Sequence, residues 1–238
     1  MARAVNSARP TRPSSVFAAS CFTPTVYSLQ MRGFACMNHF EWLLSWRMIP
    51  SGRTARLILR PLELGDAPQM QQHFPHWEIV RYLLNRVPWP YPPDGALQYL
   101  RDIALPQIER GEAWHWSIRL AERPDQIIGV ISLVRSPKDN RGFWLGLPWQ
   151  GHGYMMEASS WANDFWFDTL GCPVMRIPKA AANLPSRRIS EKQGMRLVGT
   201  EMRDYVSGRM LAEIWELTAE EWRAQRRSAA LPDESSRV

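Results

Sequence analysis

The residues best placed to do chemistry sit in one short run, Trp149-Gln150-Gly151-His152-Gly153-Tyr154-Met155, between a strand-like and a helix-like pattern. A strand-to-helix junction aims several backbone N–H groups and the positive end of a helix dipole at one point. Glycines there let an anion approach the main chain closely. The chemistry on offer is a cradle for a pyrophosphate, and the alternative is a plain turn. Neither nucleotide pattern, G-x-G-x-x-G or G-x-x-x-x-G-K-S/T, is present. A second polar pair, Asn183 and Ser186, precedes a short helical pattern, where an ordinary N-terminal cap is the competing explanation. His115, Glu157 and Glu213 are the acid or base candidates. His115 lies between Trp114 and Trp116 and reads first as a hydrogen-bonded structural histidine, whereas His152, inside the turn, is expected to face solvent. Cys21, Cys36 and Cys172 are odd in number and lack ligand-like spacing, so neither a disulfide framework nor a metal site is expected.

Around this run the elements follow in a readable order. ARLILRPL, Ala55 to Leu62, alternates as a half-buried strand, and Asp66 reads as the cap of a helix through Phe74. VPWPYPP, with Pro88, Pro90, Pro92 and Pro93, forbids regular structure and forms a loop in which Trp89 and Tyr91, with nearby Trp77, could wall an acceptor pocket. Asp94 opens a helix with apolar Leu97, Leu100, Ile103 and Ile108 that stops at Gly111. AWHWSIRL and QIIGVISLV form a hairpin about ERPD, and RGFWLGL is the strand that leads into the turn. Met155, Ala158, Trp161, Ala162, Phe165 and Trp166 then mark a helix ending at Gly171. VMRIPKAA (strand), SRRISEKQG (helix), and MRLVGTEMRDYV and MLAEIWELT (strands) complete the series. The order predicts a mixed sheet with helices on both faces.

The stretch GLPWQGHGYMMEASSWANDFWFDTLG, followed by ANLPSRRISEKQGMRLVGT, resembles the GNAT acetyltransferase superfamily, in particular the branch with the ribosomal-protein alanine N-acetyltransferases. The likeness spans about Arg53 to Trp222. The family pattern Q/R-x-x-G-x-G/A is met by Gln150 to Tyr154, with Met155 departing at the final small position. Asn183, Ser186 and Gly194-Met195 match the second family block. The resemblance implies an α/β (α+β) fold with a mixed, mostly antiparallel central sheet of six to seven strands. It also implies acetyl-CoA as co-substrate, with Trp144 to Leu147 (Leu145, Gly146 and Leu147 above all) along the pantetheine arm and main-chain N–H groups of Gly151, His152, Gly153, Tyr154 and Met155 on the pyrophosphate. Asn183 would hydrogen-bond the cofactor and Ser186 would sit beside the sulfur.

The implied reaction is attack of a neutral amine on the thioester, the amine belonging to a peptide or protein N-terminus or to a small molecule. It needs a base, an oxyanion donor and an acid for the thiolate. Relatives place a Tyr acid seven residues after the Asn, where this chain has Ser190. Ser186 and Tyr205 are the substitutes, and Glu157, Glu213 and His115 the possible bases. Met155 and Ser190 also allow a catalytically impaired CoA-binding regulatory module.

Composition sets the outer bounds. The chain has 238 residues, 45% hydrophobic and 11% aromatic with 12 Trp, which suits one globular domain with appendages. Net charge is +6 and the pI about 9.6. Before Met48, however, lie five Arg and a single acid, Glu41, leaving 24 basic against 22 acidic residues in the remainder. No basic run follows a phosphate backbone, so no nucleic-acid partner is expected. FEWLLSWRMI is too short and charged to span a membrane. The expectation is a cytoplasmic monomer or homodimer without membrane or metal partners. Residues 1–47, which superficially match a transit peptide, are expected to be a disordered tail or untranslated upstream sequence, and residues 223–238 a polar tail.

Overall fold

Strand β3 (Ala113–Leu120) is buried along its whole length, yet its two faces differ. Trp114, Trp116, Ile118 and Leu120 enter one apolar core, while His115, Ser117 and Arg119 face the other way and carry hydrogen-bond networks. A computed structural model of the chain describes residues 49–230. The expectations for residues 1–47 and for residues 231–238 lie outside the described residues.

Five strands, β1 (Gly52–Arg53), β2 (Leu57–Pro61), β3, β4 (Arg123–Val134) and β5 (Arg141–Leu145), form one antiparallel sheet in that order. A second sheet has the order β6-β8-β7, from β6 (Val174–Ala180), β7 (Arg196–Tyr205) and β8 (Gly208–Thr218). The expected mixed sheet is therefore realised as two antiparallel sheets. Asn140 joins them: its N–H donates to the Arg176 carbonyl at 2.8 Å, and its side-chain oxygen accepts from the Arg176 N–H at 2.7 Å. Past this clip no ladder links β5 and β6 among the described residues. A bulge between β3 and β4 changes the facing of β4, so Ile127 and Val130 point to one core and Ile128 and Ile131 to the other.

Helices α1 (Ala67–His73), α2 (a single turn, Trp77–Val80) and α3 (Gly95–Tyr99, a π turn Leu100–Ala104, then Leu105–Glu109) belong to one side of the sheet. Met70, Ala96 and Leu100 there cover Ile127 and Val130. On the other side α4 (Tyr154–Asp164, continuing as a π turn Phe165–Thr169), α5 (Leu184–Lys192) and α6 (Ala219–Ala230) surround the larger core of Trp116, Ala158, Phe165, Trp215 and Trp222.

Asp66 and Asp94 stand at the N-cap positions of α1 and α3 as expected, but neither side chain makes the cap bond. The Asp66 carboxylate instead accepts from the Glu63 N–H and, buried, from Arg119 at 2.6 Å, and Asp94 accepts from the Gln98 side chain. The first residues of the expected polar tail, from 223, belong to α6, which is described to Ala230. Thr218 and Glu221 form a reciprocal capping box that starts it, and Trp222 donates to Asp164 of α4 at 2.9 Å.

Candidate functional site

The turn before α4 is built by two glycines with φ of +82° and +80°, Gly151 and Gly153. A side chain at either position would be strained, and Gly153 lies under the Arg56 guanidinium, 3.5 Å from where a Cβ would sit. The first N–H groups of α4, from Tyr154, Met155 and Met156, have no carbonyl one turn earlier within the helix. Met155, the departure from the family pattern, buries its side chain in the core and leaves the turn to its backbone. His152 stacks on Tyr154 at 5.7 Å.

Glu157 braces this turn. Its carboxylate accepts from Thr54 Oγ1 at 2.5 Å, the Arg56 N–H at 2.8 Å and Arg56 Nε at 2.7 Å. Arg56 donates onward to the His152 carbonyl at 3.0 Å and lies 4.7 Å from the centre of the Tyr154 ring. Burial pushes the Glu157 carboxyl up, but the bonds from Thr54 and Arg56 outweigh it and hold the group below its ordinary range. A carboxylate so engaged is a structural element and not a free base.

The strand leading into the turn offers one open edge. Gly146 N–H pairs with the Ile128 carbonyl on β4, whereas the Leu145 carbonyl points away and accepts from Gln150 Nε2 at 2.8 Å. By the alternation of an antiparallel ladder, the main-chain groups of Phe143 and Leu145 face the gap beside β6. Trp144 instead pairs with Val130 and packs its ring on Phe74 at 5.3 Å. Gln150 turns its amide to the strand.

Across the gap, Asn183 is the N-cap of α5, its side-chain oxygen accepting from the Ser186 N–H at 3.3 Å. Its amide nitrogen is left to donate elsewhere. Ser186 receives Lys179 Nζ at its hydroxyl, 3.1 Å, and at its carbonyl, 2.9 Å. Ser190, at the position of the missing Tyr, is fully buried in α5.

Tyr205 and Glu213 are separated by the pleat. Glu213 shares a face with Trp215 and is engaged by Trp215 Nε1 at 3.1 Å and by Arg187 at 3.2 Å. Tyr205 packs on the opposite face with Ala180 and Ala212, and its hydroxyl has no hydrogen-bond partner among the described residues. Burial pushes that phenol up to about 12, so it stays protonated near neutrality. His115 is buried, with Nδ1 2.7 Å from Ser132 Oγ and Nε2 3.2 Å from Gln107, and burial pulls it down to about 4. Of the aromatic wall, Trp77 and Trp89 form an exposed pair 5.7 Å apart, while Tyr91 packs inward on Phe74.

Four charged residues escaped sequence reasoning: Arg56, Asp139, Arg141 and Lys179. Burial raises the Asp139 carboxyl to about 6 against the opposing pull of Arg203, Arg86 and Lys179. Lys179 stands in register with Met175 and Ile177 on the buried face of β6, and Arg141 with Phe143 and Leu145 on β5. A charge interrupting a period-two apolar face was the available signal.

A family model for the acetyltransferase (GNAT) domain matches residues 56–196, more than half of the chain. The chain belongs to the GNAT acetyltransferase family. As a GNAT protein it is an N-acetyltransferase, and it is similar to an uncharacterized N-acetyltransferase p20 of Bacillus licheniformis, 26% identical over 166 residues that cover 66% of this chain and 89% of the relative. The GNAT fold is also that of the ribosomal-protein-S5-alanine acetyltransferase from Vibrio fischeri, with a TM-score of 0.62 at 17% identity over 73% of this chain and 99% of that one. A ribosomal L7/L12 alpha-N-protein acetyltransferase in complex with coenzyme A matches with a TM-score of 0.59 at 18% identity, over 71% and 97% of the two chains. No helix among the described residues is long and apolar enough to cross a membrane.

Proposed function

We propose that this GNAT enzyme transfers the acetyl group of acetyl-CoA to the primary amine of a peptide or protein N-terminus, or of a small molecule, by direct attack on the thioester. The observation that carries the reading is the glycine turn at the start of α4, set at the end of β5, whose far edge pairs with no strand among the described residues. The residues fit the co-substrate. The N–H groups of Gly151 to Met155 suit a pyrophosphate, and the edge of Phe143 and Leu145 suits the amides of pantetheine, whereas Gly146 and Leu147, expected on that arm, have their carbonyls taken by the Trp149 and Gln150 N–H groups and the Gly146 N–H by Ile128. Asn183 would donate its amide nitrogen to that arm, with Ser186 beside the sulfur.

On the acceptor side, Asp139 is the carboxylate poised to take a proton from an ammonium, and Tyr205 the protonated hydroxyl to serve the departing thiolate. Glu213 is not retained in a chemical role, being held by Arg187 and Trp215 on the other face. A peptide terminus is supported by the exposed Trp77 and Trp89 pair, which offers a rim wider than a small amine needs. Calorimetric titration of acetyl-CoA into the full chain, followed by thiol release with a panel of amines and N-terminal peptides, tests the proposal. Saturable binding with release for an acceptor supports it; a folded protein that binds no acetyl-CoA overturns it.

A further inference from the structure

Beneath the gap between β5 and β6 lies a cluster of donors with few acceptors. Arg141 is 2% exposed, and its Nη1 donates to the Asn163 side-chain oxygen. Its Nε and Nη2, and the Asn163 Nδ2, have no partner among the described residues. Lys179, 5% exposed, reaches in from β6 and donates to the Ser186 carbonyl and hydroxyl but pairs with no carboxylate among the described residues, and the Arg141 guanidinium and Lys179 ammonium lie 5.9 Å and 5.5 Å from the centre of the same Phe143 ring. Buried donors without partners are costly, and two adjacent cations are costlier still, unless an anion joins them.

The carboxylates nearby do not fill that role. Glu213, cross-strand from Lys179, is held by Arg187 and Trp215. Asp139 faces Arg203, Arg86 and Lys179, and it leaves Arg141 Nε and Nη2 unpaired among the described residues. Burial and the Arg141 charge both push the Lys179 ammonium well below its ordinary range.

The position of the cluster matters. On the reading of the cofactor arm given above, on which this inference rests, pantetheine leaves the glycine turn and follows the edge of Leu145 and Phe143. From Leu145 to Arg141 the strand covers about 13 Å, a span of the order of that arm, which brings the acyl group to the level of Arg141. We propose that Arg141, Asn163 and Lys179 seat a carboxylate at the far end of the acyl chain, so that beside acetyl-CoA the enzyme accepts thioesters of dicarboxylic acids and favours them over neutral chains of equal length. The transfer keeps its balance: Asp139 takes the ammonium proton, the freed amine nitrogen bonds to the thioester carbon, the C–S bond breaks, the sulfur takes a proton from Tyr205 and leaves as the CoA thiol, and the surplus proton of the new amide nitrogen restores the Tyr205 hydroxyl. The distal carboxylate is unchanged.

Succinyl-CoA and butyryl-CoA, four-carbon chains with and without the carboxylate, are compared with acetyl-CoA on the full chain with one accepted amine. The expected result is at least about a tenfold higher kcat/KM for succinyl than for butyryl, since a site of buried polar groups discriminates against an analogue that leaves them unpaired. In Arg141→Met and Lys179→Met that ratio should fall to near unity. Equal use of the two by the wild type overturns the inference while leaving acetyl transfer intact, and requires no variant to fold. A preference that survives in folded variants overturns the assignment to these residues. Failure to bind any of the three thioesters overturns the reading of the turn itself.

Discussion

The glycine turn and the polar seam beneath β5 and β6 are both candidate anion sites, yet they are built in opposite ways. The turn is a main-chain device at the surface, with side chains that are all engaged: Glu157 holds Thr54 and Arg56, and Arg56 holds the His152 carbonyl. The seam is a side-chain device in the interior, with donors on Arg141 and Asn163 that have no partner among the described residues. A main-chain site is carried by glycine conformation and tolerates Met155. A side-chain site is carried by the identity of each residue. Substitution should therefore cost binding at the turn and shift stability and its pH dependence at the seam.

The largest effect is expected at the turn. Gly153→Glu places a carboxylate where the N–H groups converge and forces a non-glycine residue to φ +80°. Affinity for acetyl-CoA should fall by about 1000-fold, roughly 4 kcal/mol, against a stability loss of about 1–2 kcal/mol from the backbone. Titration calorimetry and denaturant unfolding separate the two, and equal losses in both would break the contrast.

Next is the acceptor side. With its carboxyl raised to about 6 by burial, Asp139 becomes an effective base only as pH rises through that value, so kcat/KM should climb across it. Asp139→Asn should lower kcat/KM by about 100-fold and remove that limb from the pH profile. An unchanged limb would hand the role of base to another group.

The division between the sites also explains which features were legible in the amino-acid sequence. The Gly151-x-Gly153 turn and the helix stops at Gly111, Gly171 and Gly194 depend on local backbone preferences that residue types advertise; the hairpin was legible too, but its turn falls at Ala121-Glu122, with Arg123, Pro124 and Asp125 of the expected ERPD turn already in β4. The separation of Glu213 from Tyr205 depends on which face of each strand is paired, and the roles of Asp66 and Asp94 depended on partners distant in sequence or on a rival local bond. The Thr218-x-x-Glu221 box that starts α6 was visible in the sequence, hidden only by the polar residues after it. Arg141 and Lys179 went unread because only strand register places them on the buried faces of β5 and β6.

At the seam, Lys179→Met tests the other half of the contrast. Burial and Arg141 lower the folded-state pKa of Lys179 below its ordinary 10.5. The unfolded chain therefore binds the extra proton through that window, and wild-type stability should rise with pH across it. Met removes the group, so the variant should show a flatter profile toward alkaline pH and be more stable near neutrality by about 1 kcal/mol or more, as a buried ion without full pairing gives way to an apolar chain. A steeper alkaline rise in the variant would contradict the assignment.

The smallest effect is expected where the turn is braced from outside. Arg56 is half exposed, and its bond to Glu157 is an ordinary surface pair worth about 0.5–1 kcal/mol. Its second bond, to the His152 carbonyl, fixes the peptide between the two glycines. Arg56→Ala should thus weaken acetyl-CoA binding about three- to tenfold, with little change in kcat, because the N–H groups remain and only their orientation is loosened. Arg56→Lys keeps a charge near the turn but cannot hold Glu157, His152 and Tyr154 together with one planar fork. If Lys restores affinity fully, charge alone is the contribution of Arg56; if it does not, the brace is geometric, which is what a main-chain site requires.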